Sequence, residues 1–327
     1  MKKGILTLGL LSVVALAGCS KSIKVNPDKE EYVVGIAQYD THPALDAATN
    51  GFTTKLSELL TKEGRKVSYQ LKNSSGQGSL VTTIVSDLVA KDVDLIMANA
   101  TPCLTAAYAA TSTIPILGTS ITDYGAALNL EFKDGKSGTN VSGTSDLAPL
   151  DQQAEELVKL LPDVKKVGIV YCSSEANSKF QVDEMKKHLS AKNITVNTHP
   201  FTDTSDLTAV CQKAANDNDA IYIPTDNTAA KSASIIDAVF LGAHKPVYAG
   251  ESGICKTAGI ATLSIDYYRL GQVTAEMAAK VLLGKEDIRD MKVGYDSEVS
   301  KLYSKSHCDV YGIQVPSDYT AIPEGEE

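Results

Sequence analysis

From Tyr32 onward the chain alternates short β-rich runs with helical patterns, and this constrains the fold more than any other feature. YVVGIAQ (32–38) reads as a strand buried on both faces, as a parallel sheet covered by helices requires. Ala44 to Leu60 has apolar residues at Ala44, Ala48, Phe52, Leu56 and Leu59, a helical spacing. KVSYQLKN (66–73), a helix from Leu80 to Ala90, VDLIMANA (93–100), a helix from Pro102 to Ala110 and IPILGTSI (114–121) continue the rhythm. It then restarts. Helices over Leu147–Leu161, Ala176–Leu189, Asp206–Ala215 and Asn227–Leu241 alternate with strands KVGIVYC (166–172), ITVNTHPF (194–201), AIYIPT (220–225) and PVYAG (246–250). The expected fold class is α/β, with two doubly wound parallel-sheet lobes joined by a hinge. GTSDLAP (143–149) is the candidate first crossing, and a second lies near Leu263–Asp266. Lobe 1 is then 32–145 plus about 266–288, and lobe 2 is 146–265 plus about 289–327. No repeat of fixed period is present.

Ahead of these lobes, MKKGILTLGLLSVVALAGC (1–19) has two lysines, a dozen mostly apolar residues from Ile5 to Leu16, and Leu16-Ala17-Gly18-Cys19. That run suits a signal-peptide core and is short for a bilayer span. Small residues before Cys19 resemble a bacterial lipobox. Residues 1–18 are therefore expected to be a signal peptide, Cys19 the lipid-carrying first residue, and 19–31 (CSKSIKVNPDKEE) a polar tether to the membrane. Loss of Lys2 and Lys3 takes the formal charge from −9 to −11. A surface this acidic disfavours general nucleic-acid binding, which needs basic surface to meet phosphate. The chain has six cysteines; with Cys19 lipidated five remain, an odd number, and most are expected to be buried thiols.

Ligands in parallel α/β sheets bind beyond the carboxyl ends of the strands. Those positions carry Gln38, Tyr39, Asp40, Thr41, His42, Pro43, Thr101, Pro102, Thr119, Ser120, Thr122 and Asp123 in the first half. In the second half they carry Ser173, Ser174, Glu175, Asn177, Ser178, Thr225, Asp226, Asn227, Thr228, Glu251 and Ser252. Each short polar residue also reads as a helix cap, and Thr101-Pro102 fits a cap followed by proline at the first helical position. Taken together, two lobes aim helix N-termini and small polar groups at one cleft, which suits a zwitterion such as an amino acid. Thr101 and Thr119–Ser120 are candidates for its carboxylate, and Asp226, helped by Asn227, for its ammonium; Asp123 and Glu251 are alternatives. Tyr39, Phe180 and Tyr268 are candidate walls for its apolar part.

Several segments together resemble one family: YVVGIAQYDTHPALDAATNGF (32–52), DLIMANATP (94–102), GTNVSGTSD (138–146), VKKVGIVYCSSEANS (164–178), IYIPTDN (221–227) and IDYYRLGQVTAEMAAKVLLG (265–284). The family is the solute-binding lipoproteins of ABC importers, in the group with tryptophan-, tyrosine- and phenylalanine-binding members. HPALDA, EANS, PTDN and DYYRLG are the most specific pieces. The resemblance spans nearly the whole mature chain and implies the type I periplasmic-binding fold. It also implies an aromatic amino acid as ligand, a membrane permease and ATPase as partners, and a place for this chain outside the cytoplasmic membrane. It places the HPALDA, ATP, SEANS and PTDN segments at the ligand. The sequence departs from the family at NSSGQGS (73–79), where relatives read NAQGD, and at ITDYG (121–125), where Tyr124 replaces a proline and is expected near the side-chain pocket.

No enzyme motif fits. GxSxG and HExxH are absent, and the histidines at 42, 188, 199, 244 and 307 are scattered. Gly76-Gln77-Gly78 lacks the third glycine of a dinucleotide loop, where Val81 stands, and Gly138–Ser145 has Thr144 where a phosphate loop needs lysine. No cofactor, metal site or nucleic-acid partner is expected. A sensor or surface adhesin built on the same two lobes remains the alternative, with a two-lobed amino-acid-converting enzyme less favoured.

Overall fold

The computed structural model describes residues 22–296 and 298–323. Lobe 1 contains β1 (Glu31–Gln38), α1 (Pro43–Lys62), β2 (Lys66–Asn73), α2 (Gly78–Ala90), β3 (Leu95–Asn99), α3 (Thr101–Ala110), β4 (Ile116–Ile121), α4 (Tyr124–Leu128) and β5 (Val141–Ser145). Lobe 2 follows with α5 (Leu150–Leu160), β6 (Lys166–Cys172), α6 (Ala176–Ala191), β7 (Thr195–Phe201), α7 (Thr204–Asp217), β8 (Ala220–Ile223), α8 (Asn227–Lys231), α9 (Ala233–Gly242), β9 (Val247–Ala249), α10 (Ser252–Ala258) and β10 (Ala261–Ile265). The chain returns to lobe 1 for α11 (Tyr267–Leu282) and β11 (Gly294–Tyr295), then crosses again for β12 (Val299–Tyr303), α12 (Lys305–Tyr311) and β13 (Thr320–Ala321).

The sheet orders are β2-β1-β3-β4-β5-β11 and β7-β6-β8-β9-β10-β12-β13. All pairings between these strands are parallel except β10 with β12. The central strands bury both faces by simple alternation. Tyr32, Val34 and Ile36 of β1 pack with Phe52 and Leu56 of α1 and Ala278 of α11. Ala37 joins the opposite cluster with Val85 and Leu88 of α2 and Leu104 of α3. Lobe 2 repeats the pattern, with Val167 and Ile169 in one cluster and Val170 and Cys172 in the other.

Two expectations are corrected. Gly294 and Tyr295 pair with Thr144 and Ser145, so the last crossing follows Tyr295, not residue 289. The helix expected over Asn227–Leu241 is two, because the chain turns at Ser232, whose N–H is shared by the Thr228 and Ala229 carbonyls. Residues 22–30, part of the expected tether, lie against lobe 1. The Lys24 N–H donates to the Thr113 carbonyl at 2.8 Å, the Tyr32 hydroxyl donates to the Pro27 carbonyl at 3.0 Å, and Lys24 and Lys29 pair with Asp92 and Asp94. The signal segment and Cys19 lie outside the described residues. No described helix is long and apolar enough to cross a membrane.

Helices α1 and α11 approach until backbone meets backbone. A Cβ on Gly51 would sit 2.0 Å from the Tyr268 carbonyl oxygen, and one on Gly271 would sit 2.0 Å from that of Ala48. Only glycine fits there, because carbonyl oxygens cannot rotate aside as a side chain can. Gly271→Ala and Gly51→Ala are each expected to lower unfolding stability by about 1–3 kcal/mol or more, the cost of overpacking. Gly242→Ala, with nothing within 4 Å of the added carbon, should leave it unchanged or slightly raised. Denaturant unfolding of the three variants checks the contrast.

Candidate functional site

The carboxyl ends of the two sheets face each other across a narrow interlobe cavity lined by residues of both lobes. Lobe 1 supplies the start of α1. His42 is its N-cap residue but makes no side-chain cap, and Pro43 has no N–H. Ala44 and Leu45 line the cavity from the first turn, where amides lack intrahelical acceptors. The His42 Nε2 meets Asn227 Oδ1 of lobe 2 at 3.2 Å, while its buried Nδ1 has no partner. Ser120 reaches the cavity from an irregularity in β4, where pairing with β5 shifts register between Gly118 and Ile121. Its φ of 56° lies in the left-handed region, uncommon for serine, and its Oγ is buried without a partner.

Lobe 2 presents a layered acidic wall. Glu175 accepts from the Asn227 and Thr228 amides at 3.1 and 2.9 Å, from Asn227 Nδ2 at 2.6 Å and from Thr228 Oγ1 at 2.7 Å. Asp226 accepts from the Cys172 and Ala229 amides at 2.6 and 2.8 Å and from Ser178 Oγ at 2.8 Å. Burial, then the neighbouring Glu175, pushes the Asp226 carboxyl up to about 7. Glu251 caps α10 through Gly253 and Ile254 and is also raised by burial, with His42 opposing. Asn177 donates to Glu175 and to the Thr225 carbonyl at 3.1 and 3.2 Å, and its Oδ1 is left unpaired.

The segments that cross between lobes supply the third wall. Asp146, directly after β5, accepts from Thr122 Oγ1 at 3.2 Å and from the Tyr267 hydroxyl at 3.0 Å. Burial pushes its carboxyl up to about 6, against those two bonds. At the cleft mouth, Lys231 of lobe 2 pairs with the buried Asp40 of lobe 1 at 2.9 Å and donates to the Ser75 carbonyl at 3.3 Å.

Of the residues expected at the ligand, His42, Ser120, Thr122, Asn177, Thr225, Asp226, Asn227 and Glu251 line this cavity. The others do not. Gln38 is spent on Asp46, Thr49 and the Asp40 carbonyl, and the Tyr39 hydroxyl donates to the Gly76 carbonyl. Thr101 and Pro102 open α3 outside the cavity wall, and Thr119 bonds inward to Thr144. Asp123 caps α4, and Ser178 supports Asp226 from behind. Tyr124 is a core residue of lobe 1 whose hydroxyl donates to the Thr144 carbonyl, so it shapes no pocket. Among the expected aromatic walls, Tyr39 and Phe180 do not line the cavity and Tyr268 is 39% exposed; its neighbour Tyr267, 5% exposed, faces in. Ala44 and Leu45 line the cavity from the HPALDA segment, whereas Asp146, Ala230 and Tyr267 line it from positions not expected there. The Asp-Tyr pair at the helix start after β10 was the available signal for Tyr267. The five described cysteines are all free and buried. Burial pushes Cys211 up to about 12, Cys308 up to about 11, and Cys103 upward despite its place in the first turn of α3.

Two parallel α/β lobes, three crossings and one polar interlobe cavity define a bilobal solute-binding protein. The chain belongs to the family described as ABC transporter substrate binding protein, whose sequence model matches residues 33–322. A tyrosine-binding protein of Clostridioides difficile is 35% identical over 288 residues, covering 85% of this chain and 82% of the relative. A domain from Streptococcus pneumonia in complex with L-Trp is 33% identical, covers 88% of this chain and 96% of its own, and superposes with a TM-score of 0.82. A ligand-free, open substrate-binding protein with adhesive properties from Clostridium difficile, also 33% identical and covering 89% and 99%, gives 0.67. At equal identity the chain superposes better on the liganded domain than on the ligand-free, open protein.

The raised acids fix a sign for pH dependence. The folded Asp226 carboxyl, at about 7, lies above the unfolded value near 3.9, so folding favours its protonated form. Its contribution therefore weakens the fold as pH rises from about 4 to about 7 and is constant above that range. Asp226→Asn removes it. The stability of the wild type relative to Asp226→Asn should fall over that window, as thermal unfolding at a series of pH values will show.

Proposed function

We propose that the chain is the extracytoplasmic solute-binding lipoprotein of an ABC importer, capturing an amino acid, aromatic in character, between its lobes. It delivers this ligand to a membrane permease driven by an ATPase subunit. The supporting observation is the cavity itself. It joins both lobes and the crossings, and it leaves His42 Nδ1, Ser120 Oγ and Asn177 Oδ1 buried without partners. Such groups are costly unless something pairs them, and a polar ligand does so. The aromatic character is supported by relatives at 33–35% identity that bind tyrosine or L-Trp. Ala44, Leu45 and Ala230 form the apolar part of the wall. Closure by movement about the crossings would bring the lobes to the arrangement described.

A thermal-shift screen over the twenty amino acids tests this. L-tyrosine or L-tryptophan should raise the melting temperature most, and no shift with any of them overturns the amino-acid reading. Because the chain contains no Trp, bound L-tryptophan would be the sole indole and its emission would report binding directly. Anchoring through Cys19 is tested separately. Cys19→Ala should release the protein from membranes, and retention of that variant would refute the lipid anchor.

A further inference from the structure

The cavity holds three acids, Asp146, Asp226 and Glu251, and they are not equally free to meet a cation. Asp226 already takes three hydrogen bonds, two of them from backbone amides, which fix it as a cap of α8 and a brace for β6. Glu251 takes two amides in the first turn of α10. Asp146 caps no helix. Its side-chain donors are two hydroxyls, Thr122 and Tyr267, one on each oxygen, and each oxygen keeps acceptor capacity. The opposite pole lies at the start of α1, a helix of 20 residues whose first turn is uncapped and lines the cavity at Ala44 and Leu45. Beside it the Ser120 hydroxyl, 6% exposed, is unpartnered.

Resting on the amino-acid reading above, we propose that Asp146, positioned by Tyr267, receives the ammonium group of the ligand, while the ligand carboxylate lies at the N-terminus of α1 with Ser120. Both partners of the acid pair sit on crossings. Asp146 follows the last residue of β5, and Tyr267 opens α11 two residues after β10. Seating a cation on this pair joins the ligand to the two segments that must bend when the lobes close. The discrimination between an amino acid and its deaminated analogue therefore belongs to the hinge, and neither lobe face supplies it.

The test measures affinity for an amino acid and its des-amino acid, beginning with L-tryptophan and indolepropionate. If another of the twenty binds better, that amino acid and its own des-amino acid are used. Wild type should prefer the amino acid by about tenfold or more, as a charge-assisted hydrogen bond requires. Asp146→Asn, close to isosteric, should bring the ratio near one. Asp226→Asn should weaken both compounds alike and keep the ratio. Tyr267→Phe, which leaves the carboxylate in place, should lower the ratio part-way, whereas a purely structural role would lower both affinities equally; this variant decides the matter if Asp146→Asn does not fold. An unchanged ratio in Asp146→Asn, or a ratio lost in Asp226→Asn instead, overturns the assignment and leaves amino-acid binding standing. Failure of wild type to bind any of the twenty overturns both.

Discussion

The contact between α1 and α11 through Gly51 and Gly271 is the constraint on which the rest depends. Each helix begins at the cleft, α1 with His42, Ala44 and Leu45 and α11 with Tyr267. The two are far apart in sequence, and α11 arrives only after the chain has built most of lobe 2. Backbone contact at 2.0 Å from the missing Cβ positions leaves no slack in how their starts are placed. Side-chain packing alone tolerates shifts of an ångström or more when residues change; carbonyl against glycine does not. The glycine contact thereby fixes Tyr267 relative to the first turn of α1, two parts of the cavity wall.

The acids of lobe 2 show that capping and ligand facing are not exclusive readings. Asp226, Glu251 and Glu175 each satisfy backbone amides at the start of a helix, and the first two also form cavity wall. Capping neutralises the positive ends of α8 and α10, so these helices do not offer open anion sites. α1 and α6, which also line the cavity, have no side-chain cap. A cleft that by pattern presents many equivalent helix starts is in fact polarised, with an acidic side and uncapped starts at α1 and α6.

Much of the fold was legible because buried parallel strands and amphipathic helices have different periods, and the two lobes obey them closely. The site was legible only in part, for physical reasons visible at single residues. His42, Asn177 and Asp226 follow strands directly, where the rule about carboxyl ends applies. Thr119 and Ser120 are adjacent and look alike in sequence; a left-handed backbone at Ser120 turns it into the cavity while Thr119 points at Thr144. Tyr267 and Tyr268 differ by one step of a helix, about 100° of rotation, and no pattern in a first turn fixes that phase. Asp146 lay in a segment readable only as a connection, since a crossing strand has no partner pattern of its own.

The ion pair between Lys231 and Asp40 lies at the rim, away from the cavity wall. Lys231 also reaches the Ser75 carbonyl, inside NSSGQGS, and a Cβ on Gly76 would sit 2.6 Å from Asp40 Oδ2. Separating Lys231 from Asp40 returns a buried carboxylate to water and breaks a half-exposed ammonium contact, so the 73–79 loop ties the two lobes together outside the cavity, through groups that form no part of its wall.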